Sequence, residues 1–481
     1  MKYWIKRYNK LSLQLKVVIW FTFCNFLQRA ISTITIPIYT RVLNGDEYGL
    51  SSVYNAYFTV IVIICTLYLH SGVMNNVFTK TNIKQEKVVS VFQSLSLVTT
   101  SCSFVIYLIF KDKIIELMGL PEIVTTAMFI MFIFWPPYNY WLIYKRYRYE
   151  YIMPVITSVL TSILTPIFGL TFVFSTNGNK GVARILGEIV FQCIIGLIFY
   201  IYNYKKSFSF YDSKLWRYAI KFNIPLIPSF LSEVMLNQSD RIMIGVYCGL
   251  TEAGIYSIAY SAASLIMMFS SALNAAFIPW QYQMLKKGEY AKLKRIGYLV
   301  LCILGGILIL LVMFAPEVIK ILAGESYAQG VVLIPVISAG IFLNIVSQLF
   351  YRVELYYEKQ NKVFIAVCSS VIMKIILNMI CLPIFGFEVA GYTTFIAYGL
   401  LCFLQFQIYK QICKESLDGK LIYKGREIIF LIIIIVACMF LVQFLYGWLW
   451  IRIFLSIISF VVLFLFRKKI VKIVNEIKKV L

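Results

Sequence analysis

The chain has 481 residues, of which 60% are hydrophobic and only 14% charged, and its mean hydropathy is +0.81. Soluble domains carry about a quarter of their residues as charged ones, so this composition excludes an ordinary soluble protein. The net charge of +23, from 45 Lys and Arg against 22 Asp and Glu, would point to nucleic acid in a soluble chain, but the positions of the charges argue for a membrane topology instead.

A helix that crosses a bilayer needs about 20 mostly apolar residues. Fourteen stretches approach that length, at 17–39, 50–73, 89–110, 123–144, 154–175, 183–203, 224–246, 255–278, 297–315, 329–350, 363–384, 390–409, 427–446 and 449–466. The last two share a short turn at Tyr446–Trp448. Nothing between the stretches is long enough to fold as a separate domain. The pattern predicts an all-α polytopic membrane protein of about 14 helices, because a backbone inside lipid must satisfy its own hydrogen bonds.

With the N-terminus placed in the cytoplasm, roughly 35 of the 45 basic residues fall on the inner side and about 7 on the outer, the bias that sets orientation. The inner set includes Lys2, Lys6, Arg7, Lys10 and Lys16, then Lys145, Arg146 and Arg148, and finally Arg467, Lys468 and Lys469. An even number of crossings puts both termini in the cytoplasm, and the basic face attracts anionic lipid headgroups. Membrane lipids, and no nucleic acid, are the expected surroundings. The basic N-terminus leads straight into a full-length span, so no cleaved signal is expected. The eleven Cys form no C-x-x-C pair, and the lone histidine, His70, leaves no His-based metal site. His70 reads as a packing residue near the membrane interface.

Two short segments repeat. Glu47–Ala56 reads EYGLSSVYNA and Glu252–Ser261 reads EAGIYSIAYS, so that Glu47 aligns with Glu252, Gly49 with Gly254 and Ser52 with Ser257. Each copy opens the second span of a six-span block. Blocks of six helices keep the same orientation, which makes this a parallel repeat with a substrate site expected between the halves. The expected organisation is an N-lobe at 1–210, a C-lobe at 211–410, and a C-terminal helix pair with a basic tail at 411–481.

Several spans carry residues that lipid does not tolerate. Arg29 lies near the middle of the first span, where insertion costs about 2.5–3.5 kcal/mol. Thr22, Asn25, Arg29 and Ser32 recur at three or four residues and share one helix face. The seventh span repeats the pattern with Ser229, Glu233, Asn237 and Asp240, followed by Arg241. The eleventh has Ser370, Lys374 and Asn378, the tenth Asn344 and Gln348, and the eighth Asn274. These describe either a polar cavity for an anionic headgroup or a set of buried pairs that hold the bundle together. Asp240, Arg241 and Glu188 are expected close to span ends, where charges snorkel to water. No P-loop, zinc-protease or nucleophile-elbow motif occurs, and the outer loops are short, so an enzyme is not expected.

The segments IPIYTRVLNGDEYGLSSV (36–53), DRIMIGVYCGLTEAGIYSIAYSAASLI (240–266), ALNAAFIPWQYQML (272–285) and ILNMICLPIFGFEVAGYTTFIAYGL (376–400) resemble polysaccharide-exporting flippases of the Wzx type. These belong to the superfamily that also holds multidrug and toxin extrusion (MATE) transporters. The resemblance covers essentially the whole chain. It implies two lobes of six helices, a further pair, alternating access, and no cofactor. The implied cargo is an undecaprenyl-diphosphate-linked oligosaccharide, carried to the outer leaflet of a bacterial cytoplasmic membrane for polysaccharide biosynthesis. It further implies that Arg29 and Lys374 meet the diphosphate, with Asn25, Asn237, Asn344 and Asn378 lining the cavity. Glu233 and Asp240 are candidates for ion coupling or buried pairing, and Arg41 and Arg241 for structural roles toward the outer end. A monomer is expected, with polysaccharide polymerase machinery as a candidate partner. The alternatives are a flippase for a lipid II-type precursor, a MATE-type cation or drug antiporter, and a membrane glycosyltransferase.

Overall fold

The computed structural model describes residues 12–465. The charged ends at Lys2–Lys10 and Arg467–Lys469, and the last residue of the fourteenth predicted span, lie outside those residues.

Every regular element among the described residues is helical. In chain order they are α1 (Leu13–Val42), α2 (Gly45–Cys65), α3 (Val73–Lys80), α4 (Gln85–Ile109), α5 (Lys111–Met118), α6 (Glu122–Tyr147), α7 (Ile152–Ser175), α8 (Lys180–Lys206), α9 (Ser213–Asn223) and α10 (Ile227–Tyr247). They continue with α11 (Leu250–Ala263), α12 (Ile266–Lys287), α13 (Tyr290–Met313), α14 (Ala315–Ala323), α15 (Leu333–Tyr356), α16 (Gln360–Phe385), α17 (Val389–Ser416), α18 (Gly425–Gln443) and α19 (Leu449–Leu465). Twelve spans are long and apolar enough to cross a membrane, and the bent pair α5–α6, which turns by 106°, raises this to as many as thirteen. The fourteenth predicted span corresponds to the shorter α19, of 17 residues. The chain is a multi-pass membrane protein.

The second span ends at Cys65, short of the expected 73. A turn follows in which Leu67 and Tyr68 adopt positive φ. It is held by buried Asn223, whose Oδ1 accepts from Val73 N at 2.9 Å and whose Nδ2 donates to Leu67 O at 2.6 Å. His70 in this turn is buried as a packing residue, with its ring 4.3 Å from Tyr68 and 5.0 Å from Trp135.

The residues gather into two compact units that divide between Gly254 and Ile255. In the first, α6, α7 and α8 pack closely, α2 lies against α8 and α10, and α1 rests along α7. The start of α2 is fixed by a capping box: Asn44 Oδ1 accepts from Glu47 N at 2.9 Å, and Glu47 Oε2 accepts from Asn44 N at 3.0 Å. Glu47 Oε1 also accepts from Lys180 N at 2.9 Å, which ties the start of α2 to the start of α8. The two repeat segments meet here. Gly49 on α2 and Gly254 on α11 are in direct backbone contact, and the Thr251 hydroxyl donates to Asp46.

In the second unit, α15 is buried on nearly every side, as a core helix must be. It packs chiefly on α17, and also on α13 and α18. The last helix is pinned by Arg452, which is 3% exposed. Its Nη1 and Nη2 donate to Glu317 Oε2 and Oε1 at 2.7 and 2.8 Å, and Nη1 also donates to Met313 O at 2.8 Å. Hydrogen bonding to Arg452 holds the Glu317 carboxyl below its ordinary pKa.

Candidate functional site

The predicted polar face of α1 is open. Asn25, Arg29 and Ser32 are exposed, and the guanidinium of Arg29 makes no hydrogen bond or ion pair with any described residue. The adjoining strip of the same helix docks on α7: Gln28 Nε2 donates to Ser158 O at 3.2 Å, and the Tyr39 hydroxyl lies 2.9 Å from Pro166 O. One helix therefore packs along one strip and leaves a mid-span cation exposed beside it.

The remaining candidates of the first unit differ among themselves. Arg41 and Glu233 are exposed. Asn237 is partly buried and donates to the backbone oxygen of Glu233 at 2.8 Å. Arg241 donates to Gln238. Asp240 was expected to snorkel but is fully buried, because packing of α10 on α2 encloses that face. Glu188, also expected at an interface, sits inside the fold. Its Oε1 is 3.1 Å from Arg184 Nε and 3.0 Å from the Tyr39 hydroxyl, with the Arg184 guanidinium 3.6 Å from the Tyr39 ring centroid.

In the second unit, Ser370, Lys374 and Asn378 share one face of α16 and are all fully buried. Asn378 Oδ1 accepts from the Thr393 hydroxyl on α17. Asn344 on α15 is partly buried. Asn274 and Gln348, predicted on separate spans, come together with Asn274 Nδ2 3.4 Å from Gln348 Oε1. The site residues thus divide: Asn25, Arg29, Arg41, Glu233, Asn237, Asp240 and Arg241 lie in the first unit, and Asn344, Lys374 and Asn378 in the second.

The first unit also holds a cavity of about 220 Å³ formed by α6, α7 and α8 and lined in part by Trp135, Tyr138, Asn139, Thr161, Ser162 and Gln192. No charged side chain lines it. The hydroxyls of Thr161 and Ser162 donate to Ser158 O at 3.0 and 2.7 Å, which leaves their lone pairs as acceptors. Asn139 donates to Trp135 O at 2.9 Å and keeps its Oδ1 free to accept. Pro166 lacks the N–H that would bond Ser162 O in a regular helix. Aromatic faces beside neutral donors and acceptors suit a polyhydroxylated ring better than an ion.

Sequence reasoning passed over Arg184, Arg352 and Arg452. Arg184 and Glu188 stand four residues apart, the spacing of a helical ion pair, and that signal was readable. Arg352 lies beyond the apolar stretch that ends at 350, and only the continuation of α15 to Tyr356 brings it into the fold.

A family model described as polysaccharide biosynthesis protein matches residues 14–285, and one described as MatE matches 225–380. Among curated proteins, the Lsg locus putative protein 1 of Haemophilus influenzae is 32% identical over 111 residues, which are 22% of this chain and 27% of that protein. The chain therefore spans well under two thirds of that relative's length. Among solved structures, the lipid II flippase MurJ in an inward closed conformation superposes with a TM-score of 0.70 at 12% identity, covering 94% of this chain and all of that one. An inward-facing multidrug resistance MATE family transporter of the MOP superfamily gives 0.62 at 12% identity, covering 84% of this chain and 98% of its own. These likenesses establish a shared fold.

Proposed function

The chain belongs to the polysaccharide biosynthesis protein family, and from that premise we propose that it moves undecaprenyl-diphosphate-linked oligosaccharide units from the inner to the outer leaflet of a bacterial cytoplasmic membrane. Family and fold are of the transporter and flippase type. The observation that carries the reading is Arg29: a guanidinium near the middle of a spanning helix, exposed and without a partner among the described residues. A charge at that depth is costly in lipid. It is supported where the helix face meets water and an anion, and a guanidinium fork matches phosphate oxygens.

In this reading Arg29 receives the diphosphate, joined by Lys374 when the buried face of α16 opens. Asn25, Asn237, Asn344 and Asn378 hydrogen-bond the headgroup, and the neutral cavity beside Trp135 takes a sugar ring. The polyprenyl chain stays in lipid. Alternating access is carried by the two repeat blocks, 1–210 and 211–410, with 411–481 as an accessory pair. Glu233 and Asp240 serve ion coupling or pairing, and Arg41 and Arg241 support the outer end. Both termini face the cytoplasm, in keeping with the basic residues crowded at one end of the helices. The protein acts as a monomer without catalytic chemistry and delivers its cargo to polysaccharide polymerase machinery.

Proteoliposomes loaded with a fluorescent polyprenyl diphosphate disaccharide test this. Wild-type protein should expose the lipid to an external quencher, and Arg29→Ala should not. Equal rates would remove Arg29 from the site. Movement of an organic cation in place of the lipid would favour the antiporter reading.

A further inference from the structure

Where the C-terminal end of α15 meets the middle of α12, within the second unit, a guanidinium is buried without a counter-ion among the described residues. Arg352 is 5% exposed. Its Nη2 donates to Asn274 Oδ1 at 2.6 Å and lies 3.5 Å from Gln348 Oε1, and its Cζ is 5.4 Å from the Phe277 ring centroid. No carboxylate among the described residues pairs with it. Glu354 is two positions further along the helix and so faces away. It is fully buried, and neither of its oxygens has a hydrogen-bond partner among the described residues. Buried charges are normally paired. Here the positive charge is met only by amide oxygens and a ring face.

Those amides have a second use. A carboxamide presents either its oxygen or its NH2 group, and a turn of the side chain exchanges them. In this structure Asn274 and Gln348 turn oxygens toward Arg352. With an anion present, the same side chains can donate to it. Both are only partly buried, so the cluster is open at that edge. Gln281 lies two turns along α12 from Asn274, on the same face. It is fully buried, and both of its amide atoms lack a partner among the described residues.

The charge around this end of the unit points the same way. The connections α12–α13, α15–α16 and α17–α18 balance Lys359, Lys420 and Lys424 against Glu289, Glu358 and Asp418, and the flanking helix ends add a basic excess that includes Lys286, Lys287, Lys294 and Arg295, whereas the opposite end carries Lys320 against Glu317, Glu325 and Glu388. Such a field concentrates anions.

We propose that Arg352, with Asn274, Gln348 and Gln281, forms an anion site that binds a phosphate or diphosphate group. Resting on the function proposed above, it is a receiving subsite for the carrier diphosphate at the basic end of the second unit.

The test titrates inorganic pyrophosphate and farnesyl diphosphate separately into the purified full chain in neutral detergent, by calorimetry. At least one probe should bind wild-type protein. Arg352→Gln should weaken binding at least tenfold, and Arg352→Lys should weaken it less. Binding of both probes identifies the phosphate group alone as the determinant, and binding of farnesyl diphosphate only identifies the lipid-linked form. Asn274→Asp places a carboxylate beside the guanidinium at almost unchanged volume. It should raise the melting temperature while abolishing probe binding, and it decides the matter if Arg352→Gln fails to fold. Unchanged affinity in Arg352→Gln or in Asn274→Asp overturns the proposal. If Arg29→Gln abolishes binding while the Arg352 variants do not, the proposed function stands and this site falls. If neither probe binds wild-type protein, both fall.

Discussion

Gly49 and Gly254, equivalent positions of the two sequence repeats, touch each other. A Cβ built on Gly254 would stand 3.3 Å from Gly49 Cα, and one built on Gly49 only 1.7 Å from Leu250 O. The Asp46–Thr251 hydrogen bond, between another equivalent pair, lies beside them. The repeat is therefore a physical crossing of two helix starts as well as a trace in the sequence, and glycine is what lets the backbones approach.

Gly49→Val should break that crossing. The side chain has no space, and overpacking of this kind costs about 1–3 kcal/mol or more. The expected readout is a lower melting temperature. In the wild-type background, Asp46→Cys with Thr251→Cys should form a disulfide on oxidation. If the crossing opens during transport, that crosslink stops the flippase and a reductant restores it.

Arg29 is expected to behave as a binding residue with little structural weight. Its side chain is exposed and has no partner among the described residues, so Arg29→Ala should shift stability by less than about 0.5 kcal/mol. Transport should fall at least tenfold, and Arg29→Lys should recover part of it. Thermal unfolding of the purified variants, beside the liposome assay, separates the two effects. A large loss of stability would return Arg29 to a structural role.

The helical architecture and the multi-pass character were legible in hydropathy, because spans long enough to cross lipid have few other readings. The short match of Glu47 and Gly49 with Glu252 and Gly254 was legible, and the structure brings Gly49 and Gly254 into contact. Burial was not legible. Asp240 and Glu188 looked interfacial from their distance to a span end, yet helix packing encloses both. Lys374 and Arg29 looked alike as mid-span cations, but one is fully buried and the other exposed, and only tertiary structure separates them. The cavity beside Trp135 draws on three helices at once, and no local spacing marks it.

Gln192 lines that cavity, and its side chain has no hydrogen-bond partner among the described residues. Gln192→Ala should leave stability unchanged. If the cavity holds a sugar, the variant loses one hydrogen bond, worth about 0.5–1.5 kcal/mol. Transport of a sugar-bearing lipid should then slow roughly two- to tenfold, while a bare polyprenyl diphosphate is unaffected. Equal slowing of both would remove the sugar assignment.

His70 predicts a pH dependence of stability. Burial among aromatic rings pushes its pKa down to about 3 from 6.5. Between those values the unfolded chain binds a proton that the folded chain does not, so stability falls as pH drops through that window. The melting temperature should decline from pH 7 toward pH 4. His70→Phe should flatten the part of the decline that belongs to this side chain, and an identical slope in the variant would show that His70 is not its source.

The most direct measurement is leaflet-resolved. In cells with and without this gene, the lipid-linked oligosaccharide accessible to a label confined outside the membrane is quantified. The account predicts that loss of the gene traps the lipid inside, that the wild-type gene restores exposure, and that the Arg29→Ala form does not. Unchanged sidedness in the deleted strain, with raised sensitivity to organic cations, would contradict it and turn attention to the acids of α10.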